Sequence, residues 1–256
     1  MRLRLRFAKA GKVRWTSHRD VARMWERAFR RTRVPLAYTA GFTPRPKISF
    51  GLALPTGHES VAEYLDVELT EWRANRNEGE AEWSVRPATI AGGLDIEATV
   101  GQLSDALPVG VEATGGVVLD PGAGSLQEEV TSCTWTMQVP GVALTGVQEL
   151  VAAALATDSL VVTRTRKGRE VTDDLRQALV SATAVDSAEG SVVTCELLTQ
   201  PRGVRPTELL AALDPALEPG RVCRTHQWIE RGGARYEPLD APLLAPQALA
   251  RIAGAG

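Results

Sequence analysis

The chain has 256 residues, an apolar fraction of 44% and a formal net charge of −2. That length suffices for one large domain or two smaller ones, and the composition is typical of a globular protein. No apolar run approaches the roughly 20 residues of a membrane-spanning helix. The N-terminus alternates charged with apolar residues, unlike a secretory signal. We therefore expect a cytoplasmic protein that does not bind membranes.

The sequence carries no recognisable catalytic or metal-binding motif. Cys133, Cys195 and Cys223 are far apart and form no C-x-x-C pair, which argues against a disulfide framework, a zinc site or a self-contained iron–sulfur cluster. The nucleotide-binding glycine loops, the G-x-S-x-G elbow and the H-E-x-x-H helix are also missing. We predict no cofactor, no metal and no catalytic residues.

The small net charge hides a strong asymmetry along the chain. Residues 1–50 contain 14 lysines and arginines against two acidic residues, a net charge of +12, whereas the remaining 206 residues carry −14. Clustered charge of one sign raises the local potential and predicts a polyanionic partner. The alternative is a solvated surface of an arginine-rich protein.

The N-terminal segment predicts a strand followed by a helix. Residues 2–8 alternate, with apolar side chains on one face and arginines on the other, as in a half-buried strand. Ser17-His18-Arg19-Asp20 is a capping box, and the helix that it starts runs to about Thr32.

The predicted helix has two different faces. Apolar residues spaced at three and four form a stripe that packs on the core. Arginines fall at four-residue steps on another face, with almost no acid to pair with them: Arg19, Arg23, Arg27 and Arg30 or Arg31. Neighbouring like charges cost about a few tenths of a kcal/mol each, which suggests that this face binds phosphates.

A proline-containing loop follows a short predicted strand at Leu36–Tyr38. Two prolines within residues 41–51 exclude helix and predict a rigid extended loop. Its candidate ligands are Arg45, Lys47, Phe42 and Phe50. Basic and exposed aromatic side chains together suit single-stranded RNA, whose phosphates pair with cations and whose bases stack on rings. In the alternative, both phenylalanines belong to the core and the loop is a plain turn.

The rest of the first half completes the order strand, helix, strand, strand, helix, strand. We predict a strand at Val61–Leu69, an inserted loop at 72–95, a helix at Ile96–Leu107 and a strand at Val111–Leu119. This order is that of a ferredoxin-like unit.

A glycine-rich link at Pro121–Ser125 precedes a second half with the same order. Strands are predicted at Thr131–Val139, Leu160–Arg166, Val192–Leu198 and Arg221–Glu230, and helices at Thr145–Ala156 and Pro206–Leu213. We therefore predict an α+β protein of two tandem ferredoxin-like (βαββαβ) units with a loop insertion in the first. The predicted domains are 1–120 and 126–240, followed by a flexible tail at 241–256.

Two further basic clusters lie in the second half. The stronger one includes Arg166 and Lys167, which we add to the RNA-binding candidates, although an exposed hairpin tip is the alternative. A weaker cluster of Arg202 and Arg205 precedes a helix N-terminus, where backbone N–H groups can bind an anion.

Several segments carry a family resemblance. They are Arg4-Leu5-Arg6-Phe7, Ser17-His18-Arg19-Asp20, Leu36-Ala37-Tyr38, residues 41–50 and Tyr64-Leu65-Asp66-Val67-Glu68-Leu69, and more loosely Arg166-Lys167-Gly168 and Asp174-Leu175-Arg176. Together they resemble the uncharacterised radical SAM-linked (radical SAM-associated) protein family. Members occur beside, or fused to, a cobalamin-binding-type radical SAM protein, so the resemblance implies such a partner. This chain lacks the C-x-x-x-C-x-x-C cluster motif, so the partner would carry any radical chemistry.

Three functions are compatible with these patterns. In the first, a non-catalytic accessory protein binds tRNA or rRNA through its basic N-terminal face and presents it to a radical SAM enzyme. In the second, the basic helix of a protein-only docking subunit contacts an acidic surface of that partner. In the third, the protein is an RNA-processing endoribonuclease that uses His18, because paired ferredoxin-like units with a basic groove are similar to the CRISPR RNA-processing endonucleases.

Overall fold

A computed structural model of the chain describes residues 1–70, 94–166 and 168–240. The chain divides into two compact units, each assembled from separate stretches of sequence. The first unit takes residues 1–56, 63–129 and those from 236 onward, and the second takes 57–62 and 130–235. Both units are mixed α+β, and their strands pair mostly in antiparallel fashion.

The first unit is a sheet with helices. Its elements are β1 (Arg2–Lys9), α1 (His18–Thr32), β2 (Ile48–Phe50), most of β3 (Glu59–Glu68), α2 (Ile96–Ala106), β4 (Val111–Leu119) and the short helix α3 (Leu126–Glu129). The strands lie in the order β4-β1-β3-β2, and the β1–β4 and β2–β3 pairs are antiparallel. A 3-10 turn at Gly11–Trp15 joins β1 to α1.

Apolar side chains of the first sheet pack against α1 and α2. Trp25 of α1 is fully buried, and its ring lies 5.2 Å from that of Phe7 and 5.4 Å from that of Phe29. Leu103 of α2 belongs to the same buried cluster. The apolar stripe predicted for the first helix is therefore confirmed as its buried face.

The arginines of β1 do not form a solvent-facing row, so the expectation of a half-buried strand is wrong. Arg4 is 1% exposed, and its Nε and Nη2 donate to the two carboxylate oxygens of Asp66 at 2.7 and 3.0 Å. Arg6 Nη1 lies 3.1 Å from Glu237 Oε2. Because β1 lies between β4 and β3, a cation that it buries needs acceptor groups within the protein, and Arg4 and Arg6 find them in carboxylates.

We expect Asp66→Ala to lower the free energy of unfolding by about 3–5 kcal/mol, because it leaves the buried Arg4 guanidinium without its bidentate partner. Urea denaturation followed by tryptophan fluorescence measures this loss. Glu68→Ala is the matched control two residues along the same strand, since it removes an exposed pair with Lys47. That control should cost at most about 1 kcal/mol, and equal losses from the two variants would contradict the prediction.

The second unit has a sheet and a separate hairpin. Its elements are β5 (Val130–Pro140), α4 (Leu144–Ala156), β6 (Val161–Arg166), β7 (Arg169–Asp174), β8 (Leu179–Ser187), β9 (Gly190–Leu198), α5 (Pro206–Leu213), β10 (Val222–Arg231) and β11 (Ala234–Tyr236). The strand order is β10-β5-β9-β8, and each neighbouring pair is antiparallel. Residues 59 and 60 of β3 run parallel to β10, and β6 pairs with β7 alone.

Most predicted elements are confirmed, with ends shifted by at most two residues. The strand predicted at Leu36–Tyr38 is wrong, because this segment makes only isolated bridges to Leu69 and Pro46. Proline has no N–H to donate, so pairing cannot extend there. Strands β2, β7, β8 and β11 are additional to the predicted ones.

Two predictions lie largely or wholly outside the described ranges. The inserted loop predicted at 72–95 falls almost entirely on residues 71–93, and the predicted tail starts at residue 241. The predicted link Pro121–Ser125 lies within the first unit, which runs on to Glu129 before β5 begins.

The next features concern membrane-spanning helices, metal sites and cysteines. In residues 1–70, 94–166 and 168–240, no helix is long and apolar enough to cross a membrane. Over the same ranges, no group of three or more His, Cys, Asp or Glu side chains could hold a metal ion. All three cysteines are free thiols, and burial raises the pKa of the Cys195 thiol to about 12.

Candidate functional site

A buried lysine fixes the point at which α1 begins. Lys9, the last residue of β1, is 3% exposed, and its Nζ donates to the carbonyl oxygens of Thr16 at 3.0 Å and Arg14 at 3.3 Å. Both carbonyls belong to the segment that leads into the helix. Burial lowers the pKa of Lys9, and the carboxylate of Glu63 opposes that shift. The chain is therefore tied to the sheet just before α1 starts.

Ser17 caps the helix, as the sequence predicts. Its Oγ accepts a hydrogen bond from the Asp20 N–H at 3.2 Å and donates one to Asp20 Oδ2 at 2.7 Å. These bonds and the neighbouring charge of Arg23 hold the pKa of the Asp20 carboxyl below its ordinary value. The capping box is confirmed, and it sets the register of every side chain along α1.

We expect Ser17→Ala to lower the free energy of unfolding by about 1 kcal/mol and to raise the pKa of Asp20 toward its ordinary value. A carboxyl whose pKa is lower when folded stabilises the protein above its unfolded-state pKa, and this contribution is lost as pH falls through the folded-state pKa. The difference between variant and wild type should therefore shrink below about pH 4.

An NMR titration of Asp20 and urea denaturation at neutral and acidic pH measure both effects. Ser17→Thr keeps the capping hydroxyl and is the matched control. An Asp20 pKa that is the same in the alanine variant and in the wild type would contradict the prediction.

The end of α1 turns the chain back toward the sheet. Arg33 adopts the left-handed conformation at φ 55°, and its N–H donates to the carbonyl of Phe29. The Ala37 N–H then donates to the Glu68 carbonyl at 2.8 Å, and the Lys47 N–H donates to the Ala37 carbonyl at 2.9 Å. These bonds hold both arms of the segment 36–47 at the end of β3.

A groove of ≈ 730 Å³ lies between α1 and the segment 34–46. Buried Phe29 and Leu36 contribute apolar surface to it, and Tyr38 lines it while remaining 56% exposed. The arginines that line it come from the helix, its C-cap and the loop: Arg19, Arg23, Arg30, Arg33 and Arg45. The groove therefore combines an apolar surface with five guanidinium groups.

The positive charge of the groove is largely uncompensated. Glu26 is the one acidic residue that lines it among the described residues. Arg23 lies 3.5 Å from Asp20, but both side chains are about half exposed, so this pair is weak. No ion pair with another described residue involves Arg19, Arg30 or Arg45, which are all exposed. Such a groove attracts anions, and its arginine forks match the oxygens of phosphate groups.

Residues 2–207, which include the whole groove, match a family described as "Uncharacterized protein conserved in bacteria (DUF2344)". The chain belongs to this family. No curated protein matches it. The family description names neither an activity nor a radical SAM enzyme, so the radical SAM association stays a prediction.

Four predicted RNA-binding residues meet in the groove of this DUF2344 protein: Arg19, Arg23, Arg30 and Arg45. Arg27 is exposed but is not among the groove residues. At about 100° per residue, Arg27 is about 80° around the helix from Arg19, whereas Arg30 returns to within about 20° of it. The arginines that are spaced four residues apart therefore do not share one face of α1.

Two other predicted RNA-binding residues, Lys47 and Phe50, are not among the residues that line the groove. Lys47 Nζ is 2.6 Å from Glu68 Oε2, and Lys47 lines a separate pocket of ≈ 160 Å³. The prediction that Phe50 is exposed is wrong, because Phe50 pairs with Leu65 in the sheet and packs edge-on against His18 with ring centroids 5.0 Å apart. Phe50 is partly buried and packs against the core, which is closer to its alternative assignment.

The remaining predicted residues have different outcomes. Phe42 is exposed, as predicted, with 108% of its reference accessible surface. Arg166 ends β6 at the tip of the β6–β7 hairpin in the second unit. Its side chain and the whole of Lys167 lie outside the described part of the chain. Their assignment to RNA binding stays a prediction.

The sequence-based prediction did not include two groove residues of the DUF2344 chain. Arg33 is the left-handed C-cap just beyond the last helical residue, so the periodicity of the predicted helix, which ends at about Thr32, does not place it. Tyr38 was assigned to a strand, and its place in the groove depends on pairing across the loop with Pro46. His18 also lines the groove and is its one imidazole among the described residues.

Proposed function

We propose that this protein binds RNA through the arginine-lined groove between α1 and the segment 34–46. The observation that carries the proposal is the convergence of Arg19, Arg30 and Arg45, exposed and without ion pairs among the described residues, on one concave surface. A polyanion gains affinity there because each neutralised phosphate releases condensed counterions.

The composition of the groove favours RNA over an acidic protein surface. The basic aliphatic side chains that line it among the described residues are all arginines, with no lysine. Guanidinium groups bind phosphates through two parallel hydrogen bonds and also stack on planar rings. The half-exposed ring of Tyr38 adds a surface on which a base can stack.

We also infer that each unit is ferredoxin-like. We number the four main strands of each sheet in chain order, leaving out the β6–β7 hairpin and the short β11, which pairs with β10. The order across the sheet is then 4-1-3-2 in both units: β4-β1-β3-β2 in the first and β10-β5-β9-β8 in the second. The helices fall after the first and third strands of each unit. This order and these connections support the arrangement of strand, helix, strand, strand, helix, strand.

Fluorescence anisotropy of labelled single-stranded RNA and of total tRNA, in a KCl series, tests RNA binding. Four to five phosphates in the groove should give a slope of log affinity against log salt of about −3. Arg30→Glu should weaken binding to both RNAs and make that slope shallower by about 1. An absence of binding at low salt would overturn the proposal.

Arg27→Glu is the matched control for Arg30→Glu. It changes the net charge of the same helix by the same amount, but Arg27 is not among the groove residues. The proposal requires the Arg30 variant to lose clearly more affinity than the Arg27 variant. Equal losses would mean that net charge, rather than the groove, determines binding.

The resemblance to radical SAM-linked proteins extends this proposal to an accessory role, in which the groove presents RNA to a radical SAM enzyme. A different outcome would favour the docking-subunit function over RNA binding. In that outcome RNA does not bind at low salt, an acidic partner protein does bind, and Arg30→Glu abolishes the contact with that protein. Cleavage of RNA that is lost in His18→Ala would favour the endoribonuclease function.

A further inference from the structure

Three aromatic side chains in the described part of the first unit are exposed, and two of them, Tyr38 and Phe42, lie four residues apart on the segment 34–46 that borders the groove. Trp15 is 63% exposed, Tyr38 56% and Phe42 108%. Among the described residues, every other large exposed apolar side chain is aliphatic, and Val109 at 98% is the most exposed of these. Isolated exposed apolar residues are ordinary on protein surfaces, but a local group of aromatic rings marks a binding surface.

The loop that carries Phe42 is closed by hydrogen bonds at its base. The Thr39 N–H donates to the Arg45 carbonyl at 2.9 Å, and the Arg45 N–H donates to Thr39 Oγ1 at 3.0 Å. Tyr38 and Pro46 form a bridge just outside this pair. The exposed ring is therefore held on a closed loop, which reduces the ordering cost of using it for binding.

The same loop forms one wall of the groove. Tyr38, Pro44 and Arg45 line the groove, and Phe42 is two residues before Pro44. A nucleic acid strand whose phosphates contact Arg45 and Arg30 therefore passes next to Tyr38 and the loop that carries Phe42. Bases stack on aromatic rings only when they are unpaired, because the bases of a duplex are already stacked on one another.

We propose that the closed loop 39–45 makes the groove selective for single-stranded RNA, with unpaired bases stacking on Phe42 and Tyr38. This inference rests on the proposed RNA-binding function and adds the strand selectivity of that site. A basic surface with an exposed phenylalanine can also bind an anionic membrane, but here the arginines line a concave groove and Tyr38 lies within it. That shape favours a strand over a flat bilayer surface.

The test compares the affinities of a single-stranded RNA of about 12 nucleotides and a duplex of the same length, at one salt concentration. The wild-type protein should prefer the single strand. Phe42→Ala should weaken single-strand binding by about 5- to 150-fold, the range for losing one stacked base, and leave duplex binding unchanged. Phe42→Trp should retain the preference, because it keeps an aromatic ring.

Val109→Ala is the control, because it removes a comparably exposed apolar side chain of the first unit, in the connection between α2 and β4. It should leave both affinities unchanged. Phe42 has no buried surface to lose, so loss of folding does not explain an effect of Phe42→Ala, and circular dichroism checks this directly.

The outcomes separate this inference from the proposed function. Equal affinity for single strand and duplex, with no effect of Phe42→Ala, would overturn the strand selectivity while RNA binding stands. No RNA binding at low salt would overturn both. Phe42-dependent binding to vesicles containing anionic lipid, without any preference for single-stranded RNA, would replace the inference with a membrane contact.

Discussion

The position of the candidate site depends on one buried cation. The Lys9 ammonium holds the carbonyls of Arg14 and Thr16 at the end of β1, immediately before Ser17 caps α1. A charged group in that position is stable only because those acceptors and the nearby Glu63 compensate its loss of water. Once the first residue of α1 is fixed, the buried stripe around Trp25 fixes its rotation, and the arginines must then point to the opposite side.

Local patterns in the sequence were sufficient to place α1, but not to determine its functional face. The capping box and the apolar period act within a few residues, so both were predictable. A four-residue step exceeds one turn by about 40°, so repeated steps move around the helix, and Arg27 leaves the face that Arg19 and Arg30 share. The loop wall of the groove depends on pairing with Glu68 and Leu69, which are far along the chain.

The excess of positive charge in residues 1–50 has two physical roles that composition cannot separate. Arg4 and Lys9 are buried and bind protein acceptors, whereas Arg19, Arg30 and Arg45 are exposed in the groove. For the aromatic Phe50, too, the sequence does not show whether the side chain is exposed or packed. Its neighbours in sequence suggest a loop, but pairing with β3 leaves it partly buried against the core. Only the tertiary partners decide which residues remain available to a ligand.

The discontinuous division of the chain has a consequence for synthesis on the ribosome. The first unit includes residues 1–56 and 63–129, but Arg6 of its central strand pairs with Glu237. Every residue of the second unit, which ends at 235, is translated before that glutamate. At about 5–20 residues per second, the N-terminal unit waits roughly 5–20 s for its last segment. The unit that begins first is thus completed last.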